Sequence, residues 1–172
     1  MARPKTVSFC QEIRTSNYLC AMMSYCYPYP RPAVTVDCAV FFRDETGLEL
    51  LLIQRKNSPF EGLWSFPGGF VDINEDLEAA ALCELEEETA LTGIKLEQFK
   101  AYGNPNRDPR HRTITIVFVA LLNHKSIPKA GDDAANVQWF NIKKLPDLAF
   151  DHLTIFMDII ENNRYFLQFK KQ

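Results

Sequence analysis

Three glutamates near the middle of this 172-residue chain, Glu84, Glu87 and Glu88, have the type and spacing of a metal-binding group. On an α-helix, positions 84 and 88 lie about 40° apart and positions 84 and 87 about 60°, so the three carboxylates share one narrow arc. Carboxylate oxygens without cysteine or histidine partners are the ligands that Mg²⁺ and Mn²⁺ prefer. No lysine or arginine occurs between Lys56 and Lys95 to neutralise the arc. A solvated acidic helix face is the alternative interpretation.

The residues around the glutamates predict the helix that must carry them. Alanine and leucine, both good helix formers, dominate residues 79–85. Asn74, followed by Glu75 and Asp76, suits a helix start, because acidic side chains stabilise the positive end of the helix dipole. We therefore expect a helix over residues 74–90.

With the preceding glycine, this segment resembles a known motif. Gly69, Glu75 and the run from Cys83 to Leu91 resemble the Nudix box, Gly-x5-Glu-x7-Arg-Glu-U-x-Glu-Glu-x-Gly-U, in which U is a bulky apolar residue. Cys83 stands where the family has arginine, and Ala90 stands where it has glycine. The alanine is the milder change, because a helix can run through alanine and end a residue or two later, at Gly93.

The resemblance implies a hydrolase that splits a diphosphate linked to another moiety, with Mg²⁺ or Mn²⁺ held by Glu84, Glu87 and Glu88. It gives Gly69 the role of shaping the loop before the helix. The family's arginine is understood to hold the box carboxylates in place. Cys83 has neither the charge nor the five-donor fork for that role, which predicts weaker metal binding or activity.

Apolar and β-branched runs on both sides of the helix predict a sheet. Strands are expected at residues 33–42, 48–55, 94–102, 113–122 and 137–140, the first two forming a hairpin. A final helix is expected over residues 151–162. Its core-facing stripe is predicted at i, i+3, i+4 and i+7, comprising Leu153, Phe156, Met157 and Ile160. Strands alternating with two helices predict an α/β fold, a mixed sheet between helical layers, which is the α/β/α sandwich of the Nudix fold.

An arginine-rich loop at residues 103–112 separates two of the predicted strands. Its two prolines exclude regular structure, and Arg107, Arg110 and Arg112 concentrate positive charge. The loop is either a solvated surface segment or a binding site for a diphosphate or ribose. The segment NPNRDPRHRTITIV, preceded by RKNSPFEGLWSFPGGF, resembles the ADP-ribose pyrophosphatase branch of the Nudix family. That resemblance implies ADP-ribose as the substrate, with AMP and ribose 5-phosphate as products.

Five further residues are candidates for supporting roles. Arg55 is expected to orient the substrate together with the arginine loop. Phe66, next to the glycines, either stacks on a base or packs against the sheet. Asp132 or Asp133 is the candidate general base, since Nudix enzymes often recruit a loop carboxylate outside the box, and a plain solvated turn is the alternative. His152 is expected to be structural.

Composition and charge limit the partners. The chain is 47% apolar and 24% charged, as in ordinary soluble domains, and its net charge of −3 argues against nucleic acid as the main partner. No apolar run reaches the ~18 residues that a membrane span requires. Five cysteines without a CxxC pair predict neither a disulfide framework nor a zinc site and favour the cytoplasm. Residues 1–29 are expected to be a poorly ordered extension and residues 30–172 one Nudix domain, for which the family implies a homodimer.

Two functions from different classes follow. In the first, the protein is a pyrophosphohydrolase for ADP-ribose or another nucleoside diphosphate derivative. In the second, it keeps the Nudix fold but only binds a nucleotide sugar, as a sensor or partner module. The presence of all three glutamates favours the enzyme, whereas Cys83 favours the binding module.

Overall fold

The computed structural model describes residues 29–45, 47–131 and 134–162. The chain divides into two compact units, Met1–Arg31 and Pro32–Gln172. The strands and helices described below all belong to the second unit. No helix within the described ranges is both long and apolar enough to cross a membrane.

Seven strands and two helices are assigned within these ranges. The strands are β1 (Ala33–Asp44), β2 (Gly47–Arg55), β3 (Trp64–Ser65), β4 (Gly68–Phe70), β5 (Glu97–Tyr102), β6 (Thr113–Leu122) and β7 (Ala134–Asn141). The helices are α1 (Leu77–Thr89) and α2 (His152–Glu161). The five predicted strands and both predicted helices are confirmed. The short strands β3 and β4 were not predicted, since they exist through pairing with β2 and β1 rather than through a long apolar run of their own.

The strand β1 is the centre of a mixed sheet. It pairs in parallel with β6 along residues 33–42 and antiparallel with β2 near the Asp44–Gly47 turn. Its first half also pairs antiparallel with β4, in the register Thr35 to Phe70 and Asp37 to Gly68. The strand β5 extends the sheet beyond β6, and β3 and β7 pair with β2. Because helices cover both faces, β1 is apolar along nearly its whole length.

Side chains of β1 alternate between two hydrophobic cores. Val36, Cys38 and Val40 join the core beneath α1. Ala39 and Phe41 point the other way and join the core beneath α2. This alternation follows from the two-residue period of a strand. It gives the α/β/α sandwich that the sequence predicted.

The helix α2 begins and ends within one residue of its predicted bounds, but its buried face is shifted from the predicted one. Leu153 and Met157 are 56% and 47% exposed. The residues it buries are His152, Ile155, Phe156 and Ile159, which have the same i, i+3, i+4, i+7 spacing. The prediction was right for Phe156 and for Ile160, which packs against the core, and wrong for Leu153 and Met157. The helix offers two such stripes, and the one containing a histidine was not counted as apolar. The histidine enters the core because its ring nitrogen accepts a buried hydrogen bond.

Candidate active site

The turn before α1 is closed by two acidic side chains. Glu75 accepts a hydrogen bond from the Asp72 N–H through Oε2 at 3.1 Å, and the Glu75 N–H donates to the Asp72 carbonyl at the same distance. Asp76 is the N-cap and accepts from the Glu78 N–H at 2.9 Å. The helix therefore begins at Leu77, three residues later than the predicted start, because the residues before it form a turn and a cap.

Two glycines bring the loop before α1 against the box glutamates. The Gly68 N–H donates to Glu88 Oε2 at 2.8 Å. A Cβ on Gly69 would lie 2.3 Å from Glu84 Oε1, and one on Gly68 would lie 2.1 Å from the Val36 carbonyl oxygen. No side chain larger than hydrogen fits either place without displacing these groups. The absence of both side chains therefore lets β4 lie directly against the carboxylates of α1.

The three predicted metal ligands differ in exposure. Glu84 is 9% exposed, Glu88 is half-buried and Glu87 is exposed. Across the described ranges, no three His, Cys, Asp or Glu side chains are placed to hold a metal ion together. Three carboxylates on one helix do provide the hard oxygen donors that Mg²⁺ and Mn²⁺ require, and two of them already face the glycine loop. The donor atoms of the three glutamates therefore suit these ions, and binding one would require the three carboxylates to move closer together.

Cys83, in the arginine position of the motif, is buried and disulfide-bonded. The disulfide departs from the expectation drawn from the cysteines, because their number and spacing do not determine which of them meet in the fold. Arg55, which lies outside the motif, interacts electrostatically with Glu88. Burial and then the charge of Arg110 lower the pKa of the Arg55 guanidinium, while Glu88 is the first of the carboxylates that oppose this shift.

Ala90, in the glycine position, ends α1. Its φ of 58° and ψ of 18° are left-handed, and its N–H donates to the Glu86 carbonyl at 2.8 Å. The helix therefore ends within one residue of its predicted end at residue 90, and the continuation to Gly93 that alanine allows does not occur. The Thr89 hydroxyl accepts from the Leu91 N–H at 3.2 Å and helps to turn the chain away. The family's glycine would adopt this conformation without strain, whereas alanine adopts it at a cost of about 1 kcal/mol.

The segment that leads to the candidate general base packs on the end of α1. The Lys129 N–H donates to the Thr89 carbonyl at 2.9 Å, and the Gly131 N–H donates to the Glu88 carbonyl at 3.3 Å. A Cβ on Gly131 would lie 1.8 Å from the Glu87 carbonyl oxygen, so this approach requires glycine. Asp132 and Asp133 themselves lie outside the described residues.

The predicted arginine loop does not act as a unit. Arg107 is buried, and its guanidinium donates two hydrogen bonds to Asp151 at 3.0 and 2.8 Å. It also lies 3.7 Å from the Asp37 carboxylate. Its substrate-binding assignment was wrong, because its fork is already occupied inside the protein. Arg112 is exposed and donates to the Thr113 carbonyl at 3.4 Å, so it stays a candidate.

Two of the predicted arginines come together at one aromatic ring. The guanidinium carbon of Arg55 lies 4.9 Å from the centroid of Phe150, and that of Arg110 lies 5.3 Å from it. Asp108 fixes Arg110 through a bidentate pair, its shortest contact being 2.7 Å. Arg110 also lies 5.0 Å from the ring of Phe70, which directly follows the glycine pair. These two cations form the positive wall of the candidate site.

Phe66 does not face the site. It is 1% exposed and stacks on His152, with centroids 4.7 Å apart and planes inclined by 13°. Its predicted contact with a ligand was wrong, and the packing alternative is the correct one. The Phe66 N–H donates to His152 Nδ1 at 3.0 Å. Burial lowers the pKa of His152, so the imidazole is neutral and Nδ1 is a hydrogen-bond acceptor.

Asp37 is a buried polar residue that the sequence reasoning missed. It accepts a hydrogen bond from the Thr115 hydroxyl at 2.6 Å and lies 3.5 Å from His152 Nε2. It also pairs in the sheet with Gly68, the donor to Glu88. The signal available in the sequence was a single charged residue within an apolar strand. A charged side chain is rarely buried unless it has partners. This network ties α2 to the glycine loop.

The sequence and the fold both match known proteins. The sequence model of the NUDIX domain matches residues 31–159. An ADP-ribose pyrophosphatase of Methanocaldococcus jannaschii is 42% identical over 130 residues, which are 76% of this chain and 74% of that protein. The ADPR responsive transcriptional repressor NtrR of Acinetobacter baylyi is 41% identical over 128 residues, or 72% of this chain. The match covers 51% of the repressor, so the chain spans about half its length.

Among solved structures, the fold is similar to that of a domain crystallised with a nucleotide sugar. The NUDIX domain of Shewanella oneidensis NrtR, complexed with ADP ribose, superposes with a TM-score of 0.73 at 33% identity. The alignment covers 86% of this chain and 97% of that domain.

Proposed function

Because the chain belongs to the Nudix family, we propose that it is a metal-dependent pyrophosphohydrolase that cleaves ADP-ribose to AMP and ribose 5-phosphate. The observation that carries the proposal is the placement of Glu84 and Glu88 against the Gly68-Gly69 loop, with Arg55 in electrostatic reach of Glu88. Acidic metal ligands and a guanidinium beside one glycine loop provide the charges that a metal-bound diphosphate requires. The names of its relatives support ADP-ribose as the ligand.

The proposed metal site comprises Glu84, Glu87 and Glu88. Bound Mg²⁺ or Mn²⁺ supplies charge neutralisation at the diphosphate and lowers the pKa of an attacking water. The Gly68 N–H holds the Glu88 carboxylate, and Gly69 leaves space for that of Glu84. Two carboxylates are thereby positioned by backbone rather than by the arginine of the motif.

The remaining groups bind and orient the substrate. Arg55 and Arg110 are held by hydrogen bonds to Pro59 and Asp108 respectively, so their guanidinium groups meet the phosphates with little loss of side-chain entropy. Arg112 is the exposed candidate from the same loop. Asp133, or its neighbour Asp132, accepts the proton of the attacking water, a role supported by the contact of Gly131 with the end of α1.

The test is ADP-ribose turnover by the purified protein in Mg²⁺ and in Mn²⁺, with AMP release followed by chromatography. Glu87→Gln is expected to abolish release, since it removes a metal ligand and keeps the side chain's shape. Glu86→Gln is the matched control, because it removes one charge from the same helix at a position that the motif leaves unspecified. Equal loss in both variants would show that the effect is one of helix charge and not of metal binding.

A second function, ligand binding without turnover, is favoured by two observations. Cys83 replaces the arginine of the motif, and one relative is a repressor described as responsive to ADPR. Cys83→Arg distinguishes the two when it is compared with Cys83→Ser, which also removes the disulfide but supplies no charge. Turnover by the native protein supports the enzyme. If the native protein does not turn over ADP-ribose and the Cys83→Arg variant does, the binding module is supported.

A further inference from the structure

Phe60 and Phe150 form an aromatic pair that is partly open to solvent. Their rings meet edge to face, with centroids 4.9 Å apart. Phe60 is 37% exposed, and Phe150 is half-buried. A phenylalanine ring that remains in contact with water forgoes much of the stabilisation that burial supplies. The exposed part of this pair is therefore a surface on which another planar group can stack.

Both residues have a backbone conformation that bulky side chains rarely adopt. Their φ angles are 62° and 54°, in the left-handed region. Among the described residues, the other non-glycine with positive φ is Ala90, which caps a helix. Strained backbone persists only where the surrounding structure enforces it, and it is concentrated at ligand-binding and active sites. Two strained phenylalanines in mutual contact therefore indicate a functional surface.

The loop that carries Phe60 is held by the end of β2. Arg55 Nε donates to the Pro59 carbonyl at 2.8 Å, and Gln54 Nε2 donates to the Gly62 carbonyl at 2.9 Å. These contacts lie on both sides of Phe60. They keep its ring in place before any ligand arrives.

Phe150 is held equally firmly from the other side. The N–H of the preceding residue, fully buried Ala149, donates to the Trp64 carbonyl at 2.7 Å. The following residue, Asp151, accepts both hydrogen bonds from Arg107. The aromatic pair is thus preorganised, which reduces the entropy lost when a ligand binds.

Two cations connect the pair to the acidic helix. Arg55 and Arg110 both lie over the ring of Phe150, at 4.9 and 5.3 Å from its centroid. The charge of Glu88 acts on Arg55. An aromatic surface, two guanidinium groups and then metal-binding carboxylates match a ligand with a planar base at one end and phosphates at the other.

We propose that Phe60, supported by the edge-to-face contact with Phe150, is the stacking site for the nucleobase of the ligand, with Arg55 and Arg110 binding the adjacent phosphate. The phosphate end of this arrangement rests on the proposed function. The base end rests on the exposure and the strain of the two phenylalanines. The ligand class is a nucleotide with an aromatic base. A sugar phosphate alone is not expected to contact the stacking site.

The test is calorimetric titration of the full chain with AMP and, separately, with ribose 5-phosphate. Phe60→Gly removes the ring while suiting the positive φ, so the variant is expected to fold, as checked by thermal melting. AMP affinity is expected to fall about tenfold, the size of one lost base–aromatic stack, while ribose 5-phosphate affinity is unchanged. Phe60→Trp, which keeps a stacking surface, is expected to retain AMP affinity.

Phe70→Ala tests the competing aromatic ring, because Phe70 is similarly exposed and also lies near Arg110 but has ordinary backbone geometry. Leu153→Ala, at an exposed apolar residue of α2, is the control. If Phe70→Ala weakens AMP binding more than Phe60→Gly does, the base stacks elsewhere and the proposal is overturned. Equal losses for AMP and ribose 5-phosphate in Phe60→Gly would overturn it too. If AMP binding depends on Phe60 but the protein does not turn over ADP-ribose, the stacking site is supported and the hydrolase is rejected. ADP-ribose turnover by Phe60→Gly with an unchanged KM would support the hydrolase and reject the stacking site.

Discussion

The Gly68 N–H donates a hydrogen bond to Glu88 Oε2 at 2.8 Å, joining the loop before α1 to a glutamate twenty residues later. The neighbouring Gly69 has the carboxylate of Glu84 where its side chain would be. The glycine pair thus positions both glutamates without the arginine that the motif specifies. A substitution at either glycine is expected to act on the metal site directly.

Gly69→Ala is expected to weaken metal binding because its Cβ would lie 2.3 Å from Glu84 Oε1 and push the carboxylate away. Mn²⁺ affinity, measured by electron paramagnetic resonance, should fall by about tenfold or more, as one misplaced ligand costs at least 1.4 kcal/mol. Gly103→Ala is the control, since its Cβ meets only side-chain atoms at 3.6 Å and beyond. Unchanged Mn²⁺ affinity in Gly69→Ala would remove Glu84 from the proposed site.

Ala90→Gly is expected to stabilise the protein, because glycine adopts the left-handed C-cap conformation at 58° without strain. The gain should be about 1 kcal/mol, or roughly 3 °C in Tm for a chain of this size, in differential scanning calorimetry. The reverse change, Gly93→Ala, should destabilise by a similar amount, since Gly93 has φ +68° and open space around it. A neutral Ala90→Gly would show that the cap is not strained.

Arg107→Ala is expected to destabilise strongly, because it leaves the carboxylate of Asp151 without its two guanidinium donors. Removing one partner of a buried ion pair typically costs about 3–5 kcal/mol, and because the Asp151 side chain is 21% exposed the loss should lie near the lower value, measurable by urea denaturation. Arg112→Ala, at an exposed arginine five residues later, should change stability by less than about 0.5 kcal/mol. Similar effects for both variants would contradict the assignment of Arg107 to the interior.

His152 is expected to make stability depend on pH. Its pKa is lowered by burial, so below about pH 6.5, the usual value, the unfolded chain binds a proton that the folded protein resists. The free energy of unfolding should be constant above that pH and fall as pH decreases below it, until the folded pKa is reached. The slope contributed by one such group is at most about 1.4 kcal/mol per pH unit.

The control for the histidine is His152→Asn, which keeps an acceptor for the Phe66 N–H and does not titrate. Its stability should lose this part of the acid dependence, whereas His111→Asn at an exposed site should keep it. Identical pH profiles for the native protein and His152→Asn, from chemical denaturation between pH 5 and pH 8, would refute the argument.

Asp133→Asn is expected to reduce kcat by about 10²–10⁴ with little change in KM, as for a lost general base. Asp132→Asn, one residue away, is the matched comparison and identifies which of the two accepts the proton. Steady-state kinetics with ADP-ribose provides both constants. Full activity in both variants would show that neither aspartate is the general base, which is the plain-turn alternative that the sequence also allows.

The sequence alone was sufficient for features that depend on local spacing. The period of the apolar residues predicted β1, β2, β5, β6 and β7, both helices and the layered α/β/α arrangement. The same spacing predicted that Glu84, Glu87 and Glu88 share one face of α1, because the turn of a helix is set by the backbone. The glycines and Glu75 before the helix were likewise recognisable, since their contacts are with near neighbours or with that face.

Only the tertiary structure decided which of several equivalent side chains enter the core and which face the site. Arg107 is buried and Arg110 is partly exposed because Asp151, 44 residues away from Arg107, binds the first. Phe66 is buried because His152, 86 residues away, accepts its N–H, and the same contact selects the buried face of α2. Phe60 and Phe150 become a surface only when their loops meet. Burial and pairing depend on residues distant in the chain, and local periodicity carries no information about them.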